Sequence, residues 1–183
     1  MRVASGCALL LQVFLIGCST GTKLSPTILL PLYSLSRDGG LQYRLPSGWF
    51  DASADSQAVG HAVLLIRNDY GATIAVDEVY LDANARGQLQ QGSLMQIAQL
   101  MMSLTSWDNG TILTDPPRAL TLNGQKLCRY RMAAAASQDS LQVTLLDTGK
   151  KVYAVSVLLS GKGAGRDGVF DVLQDSFVSS LRW

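Results

Sequence analysis

The apolar positions of this chain change period several times, and each change marks an element. Leu41, Tyr43 and Leu45 alternate with Gln42 and Arg44, the period of a half-buried strand. Pro46-Ser47-Gly48 turns the chain, and Trp49 follows, either an exposed binding aromatic or, as its place beside a strand favours, a core anchor. Ala62 to Arg67 and Ala72 to Leu81 make a predicted strand pair, joined through Asn68-Asp69-Tyr70-Gly71. The period then becomes helical. Leu94, Ile97, Met101 and Leu104 fall on one face, widened by Ala98 and Met102. Ser93 with Gln96 three residues later forms a capping box, and the methionines read as gap-filling core rather than an adaptable groove.

Asp108-Asn109-Gly110 and Asp115-Pro116-Pro117 break any regular pattern and predict a loop. Ala119 to Leu122 then meets Asn123-Gly124, a strong hairpin signal, and Lys126 to Ala134 returns. On the returning strand Cys128, Tyr130 and Met132 share one face, read as inward. Leu127, Arg129 and Arg131 share the other, and the arginines read as solvated charges. Leu141 to Asp147 and Val152 to Leu159 form a further hairpin across Thr148-Gly149-Lys150. Phe170, Leu173, Phe177 and Leu181 predict a closing helix with Asp167 as N-cap and Asp171, Asp175 and Ser179 on its far side. The order of strands and helices is that of an α+β fold: an antiparallel sheet layered with helices, not alternating βαβ units.

A different pattern precedes this domain. Arg2 leads into an apolar run from Val3 to Ile16, closed by Gly17 and Cys18, which reads as a secretory signal peptide. Its roughly fourteen residues are too short to span a bilayer comfortably. Leu15-Ile16-Gly17-Cys18 resembles the lipobox of bacterial lipoproteins. That resemblance implies a diacylglycerol thioether on Cys18, cleavage before it, and acylation of the new amine by a chain such as palmitate. Ser19, where an Asp would signal inner-membrane retention, implies by resemblance to Gram-negative sorting an outer-membrane lipoprotein facing the periplasm. Residues 1–17 are then signal peptide, 18–39 the lipidated cysteine and a tether, and 40–183 a single domain. Within the tether, Ile28 to Tyr33 is too apolar for a free linker and reads as a short edge segment docked on the domain.

Composition sharpens this. Removing residues 1–17 leaves 166 of the 183 residues, enough for one domain that needs no disulfide or metal staple. Cys7 departs with the signal peptide and Cys18 is modified, so Cys128 reads as a buried, unpaired thiol. Without Arg2 the chain carries 14 basic and 14 acidic residues. Nothing builds the basic stripe that nucleic acid requires, nor a polybasic membrane patch, so attachment rests on the acyl chains.

Candidate chemistry is sparse. His61 is the single histidine, no Gly-x-Ser-x-Gly elbow is present, and His61 reads as an exposed loop-end residue. One His and one internal Cys cannot supply a zinc set, and Asp51 with Asp55 lacks the remaining ligands of a calcium loop. Gly163-Ala-Gly-Arg-Asp-Gly168 matches G-x-G-x-x-G between a strand and a helix. The chain ends at Trp183, leaving no second parallel strand or distant acid, so it reads as a strand-to-helix loop. The expectation is no catalytic residue, no metal and no cofactor; Cys18 is the one site residue.

Four stretches carry a family resemblance. They are Leu41 to Trp49 with its Pro-x-Gly-Trp, the Asn123-Gly124 hairpin, the strand pair from Leu141 to Leu159, and the helix from Phe170 to Trp183 with Asp-Ser-Phe at 175–177. Over residues 40–183 the pattern resembles the PsbP/DcrB-like domains, a group that also includes Ran-binding release factors. The resemblance implies a PsbP-like α/β sandwich and a non-catalytic role in binding or assembling another cell-envelope component, with a protein partner in the envelope. The alternatives are a carrier holding a hydrophobic ligand between sheet and helices and, less favoured, a hydrolase.

Overall fold

The structure, a computed structural model, describes residues 27–55, 58–82, 86–87, 94–104, 111–134, 139–160 and 167–183. Its elements are β1 (Leu29–Leu35), β2 (Gln42–Pro46), β3 (Trp49–Asp51), β4 (Val63–Arg67), β5 (Ala72–Val79), α1 (Leu94–Leu104), β6 (Thr111–Leu122), β7 (Gln125–Ala134), β8 (Ser140–Asp147), β9 (Val152–Leu159) and α2 (Asp167–Ser180). β3 to β9 form a seven-stranded antiparallel sheet in the order β3-β4-β5-β9-β8-β7-β6. β1 and β2 form a separate two-stranded antiparallel sheet, so the apolar segment read as a docked edge is a strand paired with Gln42–Pro46. This is the expected α+β class, an antiparallel sheet layered with helices.

The helices lie on opposite faces of the sheet. Leu173, Phe177 and Val178 of α2, with Leu181 just beyond it, share one core with Leu41, Tyr43, Trp49, Leu65, Ile74 and Val155. Ile97 and Ala98 of α1 share the other with Cys128, Tyr130, Met132, Val143, Leu145 and Ala154. Trp49 is therefore a core anchor, as expected. Strands covered on both faces bury continuously rather than alternately, which is why residues 127–132 of β7 and 142–146 of β8 are all buried. Period-2 reasoning identified which residues share a face, but not that both faces are covered.

One departure and one confirmation follow from local chemistry. The predicted loop around Asp115-Pro116-Pro117 belongs to β6, an edge strand whose register shifts between Leu113 and Asp115 and again between Asp115 and Arg118. Bulges on an edge accommodate prolines that a central strand would exclude. At the other end of β6, Asn123 and Gly124 both have positive φ, 51° and 81°, the two-residue turn geometry that matches strand twist. The segments 105–110 and 161–166, the Ser93 cap, and the side chains of Asp167 and Phe170 lie outside what the structure describes.

Candidate functional site

An open groove of about 680 Å3 lies beside the start of α1. Leu94 and Met95 form its helical wall. Ala119, Thr121, Lys126 and Cys128 come from the β6–β7 hairpin, and Asp147 from the end of β8. Its position follows from packing: Ile97 and Ala98 seat the middle of α1 on β7 and β8, while the first turn overhangs the hairpin end. A volume of this size is within the range of small-molecule pockets, and the lining mixes apolar walls with a few polar groups. Burial pushes the Cys128 thiol upward from its ordinary value, so it is held as a neutral thiol and not as a nucleophile. Cys128 is free and buried, as its strand position predicts. The groove was not legible in the sequence, because it depends on the crossing of α1 over β6.

A second recess of about 450 Å3 contains His61, with Arg37, Asp38, Glu78, Tyr80 and Lys151. His61 begins the turn into β4 as expected, but it is half-buried and not free. The β4–β5 register brings Asp77 to it, with Nδ1 2.5 Å from the carboxylate. Lys151 Nζ donates to Glu78 at 2.7 Å and Asp38 at 3.2 Å. Those two acids hold the Lys151 ammonium above its ordinary range, Glu78 contributing most. Asp38 is held below the usual carboxylate value chiefly by the Ser36 hydroxyl, which donates to it at 2.6 Å. Among the described residues lining this recess, none is a Ser, Thr or Cys for His61 to activate.

The arginines of β7 require a correction. Arg129 and Arg131 are 4% and 7% exposed, beneath α2, not solvated on an open face. Arg129 Nε donates to Thr144 Oγ1 at 2.9 Å, Nη1 to Asp171 at 3.1 Å and Nη2 to Asp175 at 2.5 Å. Arg131 donates twice to Gln142 Oε1, and Gln142 passes the chain of bonds to Gln174, whose amide reaches the Val155 carbonyl. Asp171 and Asp175, one turn apart on α2, thus face the sheet and not the far side. The network holds α2 in register. Asp171 and Asp175 pair with the Arg129 guanidinium, and Asp115 and Asp171 lie 3.5 and 3.8 Å from that of Arg131.

The remaining predicted positions are distributed elsewhere. Asp51 accepts from the Tyr43 hydroxyl and from the Ser53 amide at 2.8 Å, which ties the β2–β3 corner together. No group of three His, Cys, Asp or Glu side chains able to hold a metal occurs among the described residues. Cys18 and residues 163–166 of the glycine-rich stretch lie outside the described residues; Gly168 is exposed in the first turn of α2.

No family model and no curated protein matches the sequence. Solved structures do. A point variant of the protein Mog1 superposes with a TM-score of 0.60 at 14% identity, covering 82% of this chain and 94% of its own. The Ran-binding protein Mog1p of Saccharomyces cerevisiae gives 0.55 at 12% identity, covering 85% and 96%. The cyanobacterial PsbP protein CyanoP of Synechocystis gives 0.50 at 15% identity, covering 90% and 96%. The fold is therefore PsbP/Mog1-like.

Proposed function

We propose that the chain is a non-catalytic lipoprotein, anchored to the bacterial envelope through Cys18, that binds or helps to assemble another envelope component. The observation that supports this most is the lipobox at Leu15 to Cys18 in front of a domain whose fold is shared by a Ran-binding protein and a PsbP protein. The outer membrane, facing the periplasm, is the location that Ser19 favours. Two tests separate anchor from partner. In cells fed labelled fatty acid, wild type should incorporate label and Cys18→Ala should not, accumulating as a precursor. Crosslinking in intact cells should give one discrete adduct on the wild-type protein. Smeared or absent adducts in a correctly lipidated protein would count against the assembly role.

The groove favours a second reading, a carrier of a hydrophobic ligand, since about 680 Å3 beside Leu94 and Met95 would admit an acyl or isoprenoid-sized group. Ala119→Trp would fill it. A carrier should lose binding of a fluorescent apolar probe with this variant and keep its crosslinked partner, whereas an assembly factor using the groove should lose the partner.

A further inference from the structure

We infer that β1 and the end of the chain beside it form a docking patch that lays the domain directly against the lipid surface. Resting on the lipid-anchor reading above, the inference adds a protein-borne second contact with a fixed orientation. The run from Ile28 to Leu35 contains no charged residue, and most of its apolar side chains are turned outward. Ile28 is 68% exposed, Leu32 80% and Leu35 62%, in a segment whose strand pairs, among the described residues, on one side only, with β2. Edge strands are ordinarily blunted by charges or kept short, so an uncharged apolar edge calls for a cover.

Three features identify that cover as lipid. The first is reach: nine residues lie between Cys18 and Ile28, at most about 35 Å of extended chain from one to the other, so β1 is the described strand nearest the anchor along the chain. The second is the rim. The Arg182 guanidinium lies 4.1 Å over the Tyr33 ring, and Arg44 donates to the carbonyls of Leu30 at 2.7 Å and Leu29 at 3.2 Å. The bridge between Gln42 and Arg182 pins the chain end beside β2, where Trp183 is exposed. Apolar side chains bordered by Tyr, Trp and Arg are the composition of the membrane–water interface, where the cations meet phosphate headgroups. Nearby carboxylates are engaged elsewhere, Asp38 with Lys151 and Asp175 with Arg129. The third is the strand itself. Pro31 and the register break between Leu29 and Tyr33 make β1 a poor template for an added strand from a protein partner.

The test uses the full-length, lipidated protein reconstituted into vesicles of phosphatidylethanolamine and phosphatidylglycerol. Leu32→Cys or, separately, Gln99→Cys carries an environment-sensitive fluorophore; Gln99 is exposed on α1, across the large sheet from α2. On vesicles the label at position 32 should shift to the blue, be quenched by nitroxide lipids and lose iodide quenching, while the label at 99 should do none of these. Acyl mass on Cys18 with an unshifted label at 32 overturns this inference alone. Absence of the acyl mass overturns the anchor, and this inference with it. Shielding at 32 in intact cells but not on vesicles would assign the patch to a protein and overturn the lipid assignment.

Discussion

The seating of α2 on Arg129 makes an asymmetric prediction. Replacing Asp171 and Asp175 together by Asn leaves the guanidinium beneath the helix with Thr144 and two neutral amides. Breaking a buried ion pair from this side costs about 3–5 kcal/mol, because the orphaned charge has no water to turn to. Arg129→Met removes the buried charge instead. The carboxylates left behind are 41% and 40% exposed, so water can solvate them, and the cost should fall to about 1–2 kcal/mol. Asp175→Asn alone should lie between, since Asp171 still holds Nη1 at 3.1 Å. Urea unfolding of the four proteins reads these differences directly, and combining Arg129→Met with the double Asn variant measures the coupling. If the double Asn variant unfolds within about half a kcal/mol of the parent, α2 is not seated on Arg129. A cost for Arg129→Met that exceeds that of the double Asn variant would refute the burial argument itself.

Phe177 is fully buried and contacts Tyr43, with ring centroids 6.2 Å apart. Phe177→Ala should cost about 3–5 kcal/mol, seen as a clear fall in melting temperature, and a parental melt would detach α2 from the core. Cys128 should react with a thiol reagent in denaturant and hardly at all in the native protein; rapid native labelling would contradict its place under α1. Asp38, with its folded pKa depressed, contributes stability that is present above the unfolded value near pH 4 and lost as pH falls through the folded one. Asp38→Asn should therefore flatten the acid limb of a stability-versus-pH curve below about pH 4, and an unchanged limb would rule the contribution out.

Much of the architecture lies in short-range pattern. Alternation in Leu41 to Leu45, the Asn123-Gly124 turn, and the stripe of Leu173 and Phe177 each depend on which way neighbouring side chains point, and a chain declares that locally. The resemblance of Leu15 to Cys18 to a lipobox is likewise carried by four consecutive residues. What covers each face is a different kind of fact. Arg129 and Arg131 share a face with Leu127 in any strand, but their burial depends on α2 arriving with Asp171 and Asp175, more than forty residues later. The His61–Asp77 pair likewise exists because the β4–β5 register brings the two together, and the groove exists because packing sets the first turn of α1 beside the β6–β7 hairpin. Period fixes faces; only tertiary packing decides whether a face meets water, a helix or an empty groove, since that choice is made by contacts between segments far apart in the chain.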